Sequence, residues 1–201
     1  MKVYANQLHN HLKKSGLPAV VLVSGDEPLQ MAECCDAIRE AARVQGYLER
    51  EVMHVETGFD WGLLLEEANA LSLFARERIL ELRLPNAKPG TQGGKALQEY
   101  CANPAPDTLL LITMSKLESA ASKSKWYKSI DAAGLVVQVW PIERAQLPRW
   151  IEQRMRSLKL QPGPEVAEML SDRVEGNLLA AAQEIEKLRL LYGEGPVNAE
   201  Q

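Results

Sequence analysis

Five short apolar runs, separated by stretches of helical periodicity, constrain the fold of this 201-residue chain more than any other feature. The runs are residues 19–23, 51–55, 79–84, 108–113 and 135–139. The first, fourth and fifth are almost continuously apolar, which is typical of strands buried on both faces of a parallel sheet. The helices expected between them are 28–45, 61–69, 95–101 and 124–133. This alternation predicts right-handed crossovers and an α/β fold with a doubly wound, five-stranded parallel sheet.

The pattern changes near Pro141, after which no further strand is predicted. Residues 147–158 have one apolar helical face, and a second helix is expected from Pro164 to Val174. Asn177 is placed to cap a third helix that ends before Gly193. We therefore predict two domains, an α/β domain over 1–140 and a small three-helix lid domain over 141–201.

Composition excludes several classes of protein. A net charge of −4 argues against a stand-alone DNA-binding module, and no apolar run approaches the roughly 20 residues of a membrane span. The N-terminus does not resemble a signal peptide, so a cytoplasmic location is expected. The cysteines form no CxxC pair and are expected to be buried thiols in a reducing compartment, with no metal site. They are Cys34, Cys35 and Cys101.

The loop after the first strand lies where a phosphate-binding loop would be expected, but it lacks that loop's chemistry. A functional loop needs a closing Gly, a Lys that neutralises phosphate and a hydroxyl that holds magnesium. Counted from Gly25, those three positions hold Gln30, Met31 and Ala32. Asp26 and Glu27 add negative charge where phosphates would lie. We predict a degenerate, non-binding loop.

A second glycine-rich stretch, residues 89–96, comes close to the same motif but is out of register. Its Gly and Pro content predicts a flexible surface loop. A small ATPase or kinase using Gly93, Gly94 and Lys95 remains an alternative. No Ser-His-Asp or Cys-His arrangement is recognisable, so no catalytic residue, cofactor or metal is predicted.

Four segments, taken together, resemble one family. They are residues 23–29, 70–75, 123–127 and 175–188. Together they resemble the delta subunit of the bacterial DNA polymerase III clamp loader, an ATPase-deficient branch of the AAA+ superfamily. Two departures from active AAA+ relatives agree with this resemblance. Leu178 and Leu179 stand in the stretch where those relatives carry a sensor arginine. Residues 122–124 contain no arginine that could act as an arginine finger.

The resemblance implies a non-enzymatic subunit of a DNA-directed DNA polymerase holoenzyme, a nucleotidyltransferase, acting in DNA replication. Its implied partners are the beta sliding clamp and the gamma/tau and delta-prime subunits, with DNA contacted weakly or through the complex and no membrane involved. Family members are longer and carry a third, C-terminal collar domain, so we expect this chain to hold the first two domains. A delta-prime-type subunit is a weaker alternative, because that type carries cysteine metal ligands and an arginine finger.

By the same resemblance, the clamp-binding residues follow the helix that begins at Trp61. They are Leu71, Ser72, Leu73, Phe74 and Ala75. Leu73 and Phe74 are expected to project as a wedge into an apolar pocket of the clamp and to open the clamp ring. Without the resemblance, both residues would be assigned to the domain's own core.

A cluster of lysines and aromatic rings between residues 116 and 128 has two interpretations, a DNA or subunit contact and a solvated helix with inward rings. The cluster comprises Lys116, Lys123, Lys125, Trp126, Tyr127 and Lys128. The solvated helix is favoured, because long charged side chains commonly cover apolar surface.

Overall fold

The computed structural model describes residues 1–70 and 77–199. The chain forms two compact units, Met1–Trp140 and Pro141–Gln201. Among the described residues, no helix is both long and apolar enough to cross a lipid bilayer.

The first unit is built on a parallel sheet, which confirms the predicted α/β class. Its strands are β1 (Lys2–Tyr4), β2 (Val20–Gly25), β3 (Glu49–His54), β4 (Arg78–Leu84), β5 (Thr108–Met114) and β6 (Leu135–Val139). The spatial order is β1-β6-β2-β5-β4-β3, and every neighbouring pair is parallel. The sheet has six strands rather than the predicted five, because β1 adds to the outer edge of β6. With Val3 as its one buried residue, β1 is too short to show a periodic pattern.

Helices cover both faces of this sheet. They are α1 (Ala5–Ser15), α2 (Pro28–Val44), α3 (Gly62–Asn69), α4 (Gly90–Ala102) and α5 (Lys125–Ala133). One core lies between the sheet and α1 and α2, where Leu8 and Ile38 pack against Val21 and Leu111. The other lies under α3, α4 and α5 and contains Leu64, Leu97 and Ile130. The central residues of β2 and β5, Val20–Val23 and Leu109–Ile112, are continuously apolar, as is typical of parallel strands buried between two helical layers.

The prediction of a surface loop over residues 89–96 is wrong, because α4 begins at Gly90. Gly93 and Gly94 are buried in this helix. A Cβ atom on Gly93 would lie 2.3 Å from the Trp61 ring, and one on Gly94 would lie 3.5 Å from Trp126. Gly93 therefore makes room for the Trp61 ring, whereas Gly94 lies beside Trp126 with space for a methyl group. Glycine content alone had been interpreted as a sign of a loop.

The second unit contains α6 (Leu147–Ser157), α7 (Val166–Val174) and α8 (Leu178–Tyr192). Asn177 caps α8 by accepting a hydrogen bond from the Ala180 amide at 3.0 Å. The expectation of no further strand is wrong, since β7 (Leu160–Pro162) and β8 (Gly195–Val197) form a parallel pair. Three residues per strand are too few to give an alternating signal.

Candidate functional site

Two regions of the first unit carry the predicted functional residues: the loop after β2 and the connection from α3 to β4. In the loop, Gly25 ends β2 where the backbone of β6 approaches closely. A Cβ atom at Gly25 would lie 2.4 Å from the carbonyl oxygen of Val139, so no larger residue fits without a backbone shift. The glycine is required by the packing of two neighbouring strands.

Glu27 occupies the N-terminus of α2 with its own carboxylate. That carboxylate accepts hydrogen bonds from the amides of Leu29 at 3.3 Å and Gln30 at 2.6 Å. Free amides at the first turn of a helix are the groups with which a phosphate loop holds its ligand. Here Glu27, which is almost fully buried, satisfies two of them and supplies the negative charge that the helix dipole favours.

The neighbouring loop residues are likewise engaged within the protein. Asp26 Oδ1 accepts a hydrogen bond from the Lys116 amide at 2.8 Å, and the Gln30 side chain donates to the Trp140 carbonyl at 3.2 Å. Met31 lines an open concavity of about 290 Å³ at the carboxyl ends of β2, β4 and β5. Ala32 is exposed on α2. The loop therefore ties α2 to the ends of β5 and β6.

Arg83 also lines this concavity, but its guanidinium points to a carboxylate. Glu81 is fully buried in β4 and binds three arginines, at 3.0 Å to Arg39, 2.8 Å to Arg50 and 2.7 Å to Arg83. Burial by itself raises the pKa of Glu81, but hydrogen bonds from Arg50 and Arg83 and the charge of Arg39 outweigh it and hold the pKa below its usual value. This ion cluster joins α2, β3 and β4, and the sequence analysis missed it.

The predicted clamp-binding residues Leu71, Ser72, Leu73, Phe74 and Ala75 lie outside the described residues. The structure does describe the elements on either side of them. Helix α3 ends at Asn69, and β4 begins at Arg78.

Arg78 connects those two elements. Its side chain is buried, and one guanidinium nitrogen, Nη2, donates hydrogen bonds to the carbonyls of Glu67 and Ala70, the latter at 2.8 Å. Its backbone amide donates to the Asp107 carbonyl at 3.0 Å. One residue therefore holds the C-terminal end of α3 against the first residue of β4, a role that no sequence pattern indicated.

The start of α3 is held by packing of aromatic rings. Trp61 lies against Gly93 of α4 and contacts Phe59 edge-to-face, with the ring centroids 5.2 Å apart. Asp60 Oδ1 accepts a hydrogen bond at 2.9 Å from the amide of Gly62, the first residue of α3. Helix α3 is therefore fixed at both ends.

In the lysine and aromatic cluster, the favoured interpretation is confirmed for the rings. Trp126 and Tyr127 are buried in the core, whereas Lys123, Lys125 and Lys128 are exposed. Ser124 caps α5 by accepting from the Tyr127 amide at 3.4 Å. Lys116 lies with its Nζ 5.1 Å from the centroid of the half-exposed Trp140 ring. The two rings therefore form part of the hydrophobic core, and the lysines lie on the surface of the first unit.

The three cysteines are buried free thiols, as predicted. Burial raises the pKa of Cys34 to about 12 and those of Cys35 and Cys101 to about 11. Such thiols are protonated at neutral pH and poorly reactive. Across residues 1–70 and 77–199, no three His, Cys, Asp or Glu side chains are grouped so as to hold a metal ion.

A doubly wound parallel sheet followed by a small helical unit gives this chain the fold class of a clamp-loader delta protein. The Bacillus subtilis DNA clamp loader delta protein has this fold, with a TM-score of 0.73 and 18% identity over 98% of this chain and 60% of that one. The fold is also similar to that of a Thermotoga maritima RuvB variant, with a TM-score of 0.51 and 13% identity over 97% of this chain and 63% of that one.

Sequence comparison narrows the class to one family. Residues 22–139 match the model of the family described as DNA polymerase III, delta subunit. The Escherichia coli DNA polymerase III subunit delta is 33% identical over 198 residues, and the Haemophilus influenzae subunit is 30% identical over 200 residues. The chain belongs to this delta-subunit family, which confirms the resemblance seen in the sequence. It spans 57% and 58% of the length of those two relatives, and 98% of the chain is covered in each case.

Proposed function

We propose that this chain acts in a clamp loader by binding a sliding clamp through residues 71–75 and favouring the open form of the ring. The observation that carries the proposal is the anchoring of this segment's neighbours, with α3 fixed at Trp61 and at Arg78, in a chain of the delta-subunit family. A short segment between two fixed elements is a suitable place to present side chains to a partner.

The proposed binding energy comes from Leu73 and Phe74. Burying a leucine and a phenylalanine against a partner would contribute roughly 3–6 kcal/mol before ordering costs. Such a contribution is enough to make these residues the hot spot of an interface. If the two side chains fit the opened ring better than the closed ring, binding itself shifts the clamp towards opening, and no hydrolysis in this subunit is needed.

We also propose that this chain neither binds nor hydrolyses ATP, and that nucleotide control comes from neighbouring subunits of the gamma/tau and delta-prime types. The Glu27 carboxylate on the first turn of α2 supports this, because it uses the amides that a phosphate would need. The alternative phosphate loop at Gly93 and Gly94 is disfavoured, since both residues pack inside a helix against indole rings. Titration with labelled ATP and magnesium should give no saturation, and micromolar binding would contradict the proposal.

Clamp binding is tested by replacing both wedge residues, in the variant Leu73→Ala/Phe74→Ala. Co-elution of the chain with a purified bacterial sliding clamp should be lost, while circular dichroism and the melting temperature stay near wild type. A matched control is Leu190→Ala/Leu191→Ala, which removes two strongly exposed apolar side chains from α8 and should leave binding unchanged. A collapsed fold in the first variant would instead place Leu73 and Phe74 in the core and contradict the proposal.

A role in DNA replication at the cytoplasmic clamp loader follows from the same proposal, with DNA contacted weakly or through the complex. The exposed lysines at 123, 125 and 128 are our candidates for such a contact. Binding of duplex DNA by the chain alone should therefore be weak. Tight, steeply salt-dependent binding would favour the DNA-binding alternative instead.

A further inference from the structure

The α-amino group of Met1 lies among three oxygen atoms at the C-terminal end of α5. It donates hydrogen bonds to the carbonyls of Asp131 at 2.6 Å and Gly134 at 3.0 Å, and Asp131 Oδ1 lies 2.9 Å from it. An ammonium group has three N–H donors and no acceptor, so three oxygens match it in number and in kind. These three oxygens are called the ammonium site below.

The ammonium site is held in place by the fold around it. Asp131 lies in the last turn of α5, where carbonyls have no partner within the helix and a positive charge is favoured. Its own carboxylate is unfavourable at that end of the helix dipole unless a cation accompanies it. Gly134 follows α5 directly and is packed against β2, because a Cβ atom on it would overlap the carbonyl of Val20.

The burial of one carboxylate oxygen strengthens the preference for a cation. Asp131 Oδ1 is shielded from solvent, so it depends on a donor or a cation from within the protein. The Met1 ammonium group supplies this charge at 2.9 Å, whereas the Lys2 ammonium group lies 4.0 Å from the other oxygen, Oδ2. The site therefore suits a primary ammonium group rather than a neutral amide.

The ammonium site holds a strand that has few other contacts with the sheet. Strand β1 pairs with β6 over three residues, and Val3 is the buried one among them. The Val136 amide donates to the Met1 carbonyl at 2.8 Å, beside the ammonium group. Short edge strands of this kind open locally at a low cost in free energy. The contacts of the Met1 amine therefore matter for keeping β1 on the sheet.

We propose that the ammonium site accepts the Met1 amine only when that amine is unmodified, so that removal of an N-formyl group is a maturation step for this sheet. Bacterial translation starts chains with formylmethionine, and the relatives of this chain are bacterial. A formylated nitrogen has no charge and one N–H in place of three, and the formyl group adds bulk beside Asp131 and Gly134.

The reaction that must come before completion of the sheet is hydrolytic deformylation. Water breaks the bond between the formyl carbon and the Met1 nitrogen, formate leaves, and the freed amine takes up a proton. The resulting ammonium group then has the charge and the donors that the site requires. This maturation step concerns the outer edge of the sheet and is independent of clamp binding.

The experiment compares the 201-residue chain carrying a free amine with the same chain carrying a retained formyl group. The formylated chain is made in bacteria treated with a deformylase inhibitor, and mass spectrometry verifies each N-terminus. Hydrogen exchange is followed amide by amide by nuclear magnetic resonance. The reporter is the Val136 amide, and the reference is the Leu110 amide, which donates to the Ala19 carbonyl at 2.9 Å between β5 and β2.

Three variants are prepared in both the free and the formylated form. Asp131→Asn removes the charge of the ammonium site but keeps its backbone carbonyls. Lys2→Gln removes the second cation near that carboxylate. Glu118→Gln is the matched control, because it breaks an exposed ion pair with Lys88 and leaves the contacts of Met1 intact.

Formylation should speed exchange of the Val136 amide by roughly three- to tenfold, a modest range because Met1 is exposed and water weakens its contacts. Exchange of the Leu110 amide should stay unchanged, since it requires opening of the centre of the sheet. In Asp131→Asn the effect of formylation should be smaller, because the site has lost its charge. Lys2→Gln and Glu118→Gln should show the full effect.

Three results would overturn the proposal. The first is equal exchange of the Val136 amide in the free and formylated chains. The second is a formylation effect of full size in Asp131→Asn, since bulk at the N-terminus would then explain it. The third is an equal change at Leu110, which would indicate a general loss of stability. Clamp binding is tested separately by Leu73→Ala/Phe74→Ala, so failure of either proposal leaves the other standing.

Discussion

Two adjacent glycines of α4 should respond in opposite directions to the same substitution. In Gly93→Ala the new methyl group would lie 2.3 Å from the Trp61 ring, which is more than 1 Å inside an ordinary carbon contact. Trp61 is 9% exposed and packs edge-to-face on Phe59, so the ring has little room to move. Overpacking of this kind costs about 1–3 kcal/mol, and alanine regains at most about 1 kcal/mol of helix propensity over glycine.

Gly94→Ala is the matched control. Its methyl group would lie 3.5 Å from Trp126, which is an ordinary van der Waals contact. The propensity gain then stands alone, and we expect stabilisation of up to about 1 kcal/mol. Because the propensity gain is common to both variants, their free energies of unfolding should differ by the overpacking cost alone, about 1–3 kcal/mol.

Urea denaturation followed by far-ultraviolet circular dichroism measures this difference. Because the chain has two compact units, the unfolding transition of the first unit should be fitted separately. Its free energies are comparable between variants when the slope of the free energy against urea concentration is the same. A stability of Gly93→Ala equal to that of the wild type, or a shift of both variants in the same direction, would refute the packing argument for Trp61 and with it the fixed start of α3.

Three further predictions concern buried polar groups. Glu81→Gln should lower the free energy of unfolding by about 1.5–3 kcal/mol at neutral pH. Since the pKa of Glu81 is held below its usual value, the stabilisation is present above that usual value and is lost as the pH falls through the pKa of the folded state. The difference in stability between wild type and Glu81→Gln should therefore disappear in acid, and a difference independent of pH would contradict the charge argument. The exposed Glu40→Gln should show no such difference. Glu27→Ala should cost about 1 kcal/mol by removing the cap of α2, as measured by denaturation, and ATP binding gained by this variant alone would show that the carboxylate is the main obstacle to phosphate. Ellman's reagent should leave the buried thiols of the native chain unmodified at neutral pH until denaturant is added, and fast labelling would contradict their burial.

The strands were predicted most accurately from the sequence where both of their faces are buried. Strand β6 was located to the residue, and β2 and β5 to within two residues, because strands covered on both faces leave continuous apolar runs. Sequence-based prediction failed where the role of a residue depends on a contact with a residue far away along the chain. Gly93 of α4 is explained only by the Trp61 ring that packs against it, and nothing in the local sequence distinguishes the glycines of α4 from those of a loop.

The candidate site shows the same limit. The prediction of a degenerate loop after β2 could be made from Gln30, Met31 and Ala32, but the capping of α2 by Glu27 is visible only in the structure. Arg78 and Glu81 lie in a single strand, and apart from Arg83, which binds Glu81, their side-chain partners are eight or more residues away along the chain. Contacts of that kind follow from topology, which a pattern of apolar periodicity does not encode.

Strand β1 has a consequence for how the first unit is made on the ribosome. Lys2 and Val3 pair with Val136 and Val137, so among the described residues the first strand of this sheet in sequence order has the last one, β6, as its sheet neighbour. The edge of the sheet thus stays open until translation passes residue 139, and α1 has no completed surface to cover before then. Because such distant pairings close slowly, a nascent chain halted before β6 should remain sensitive to protease.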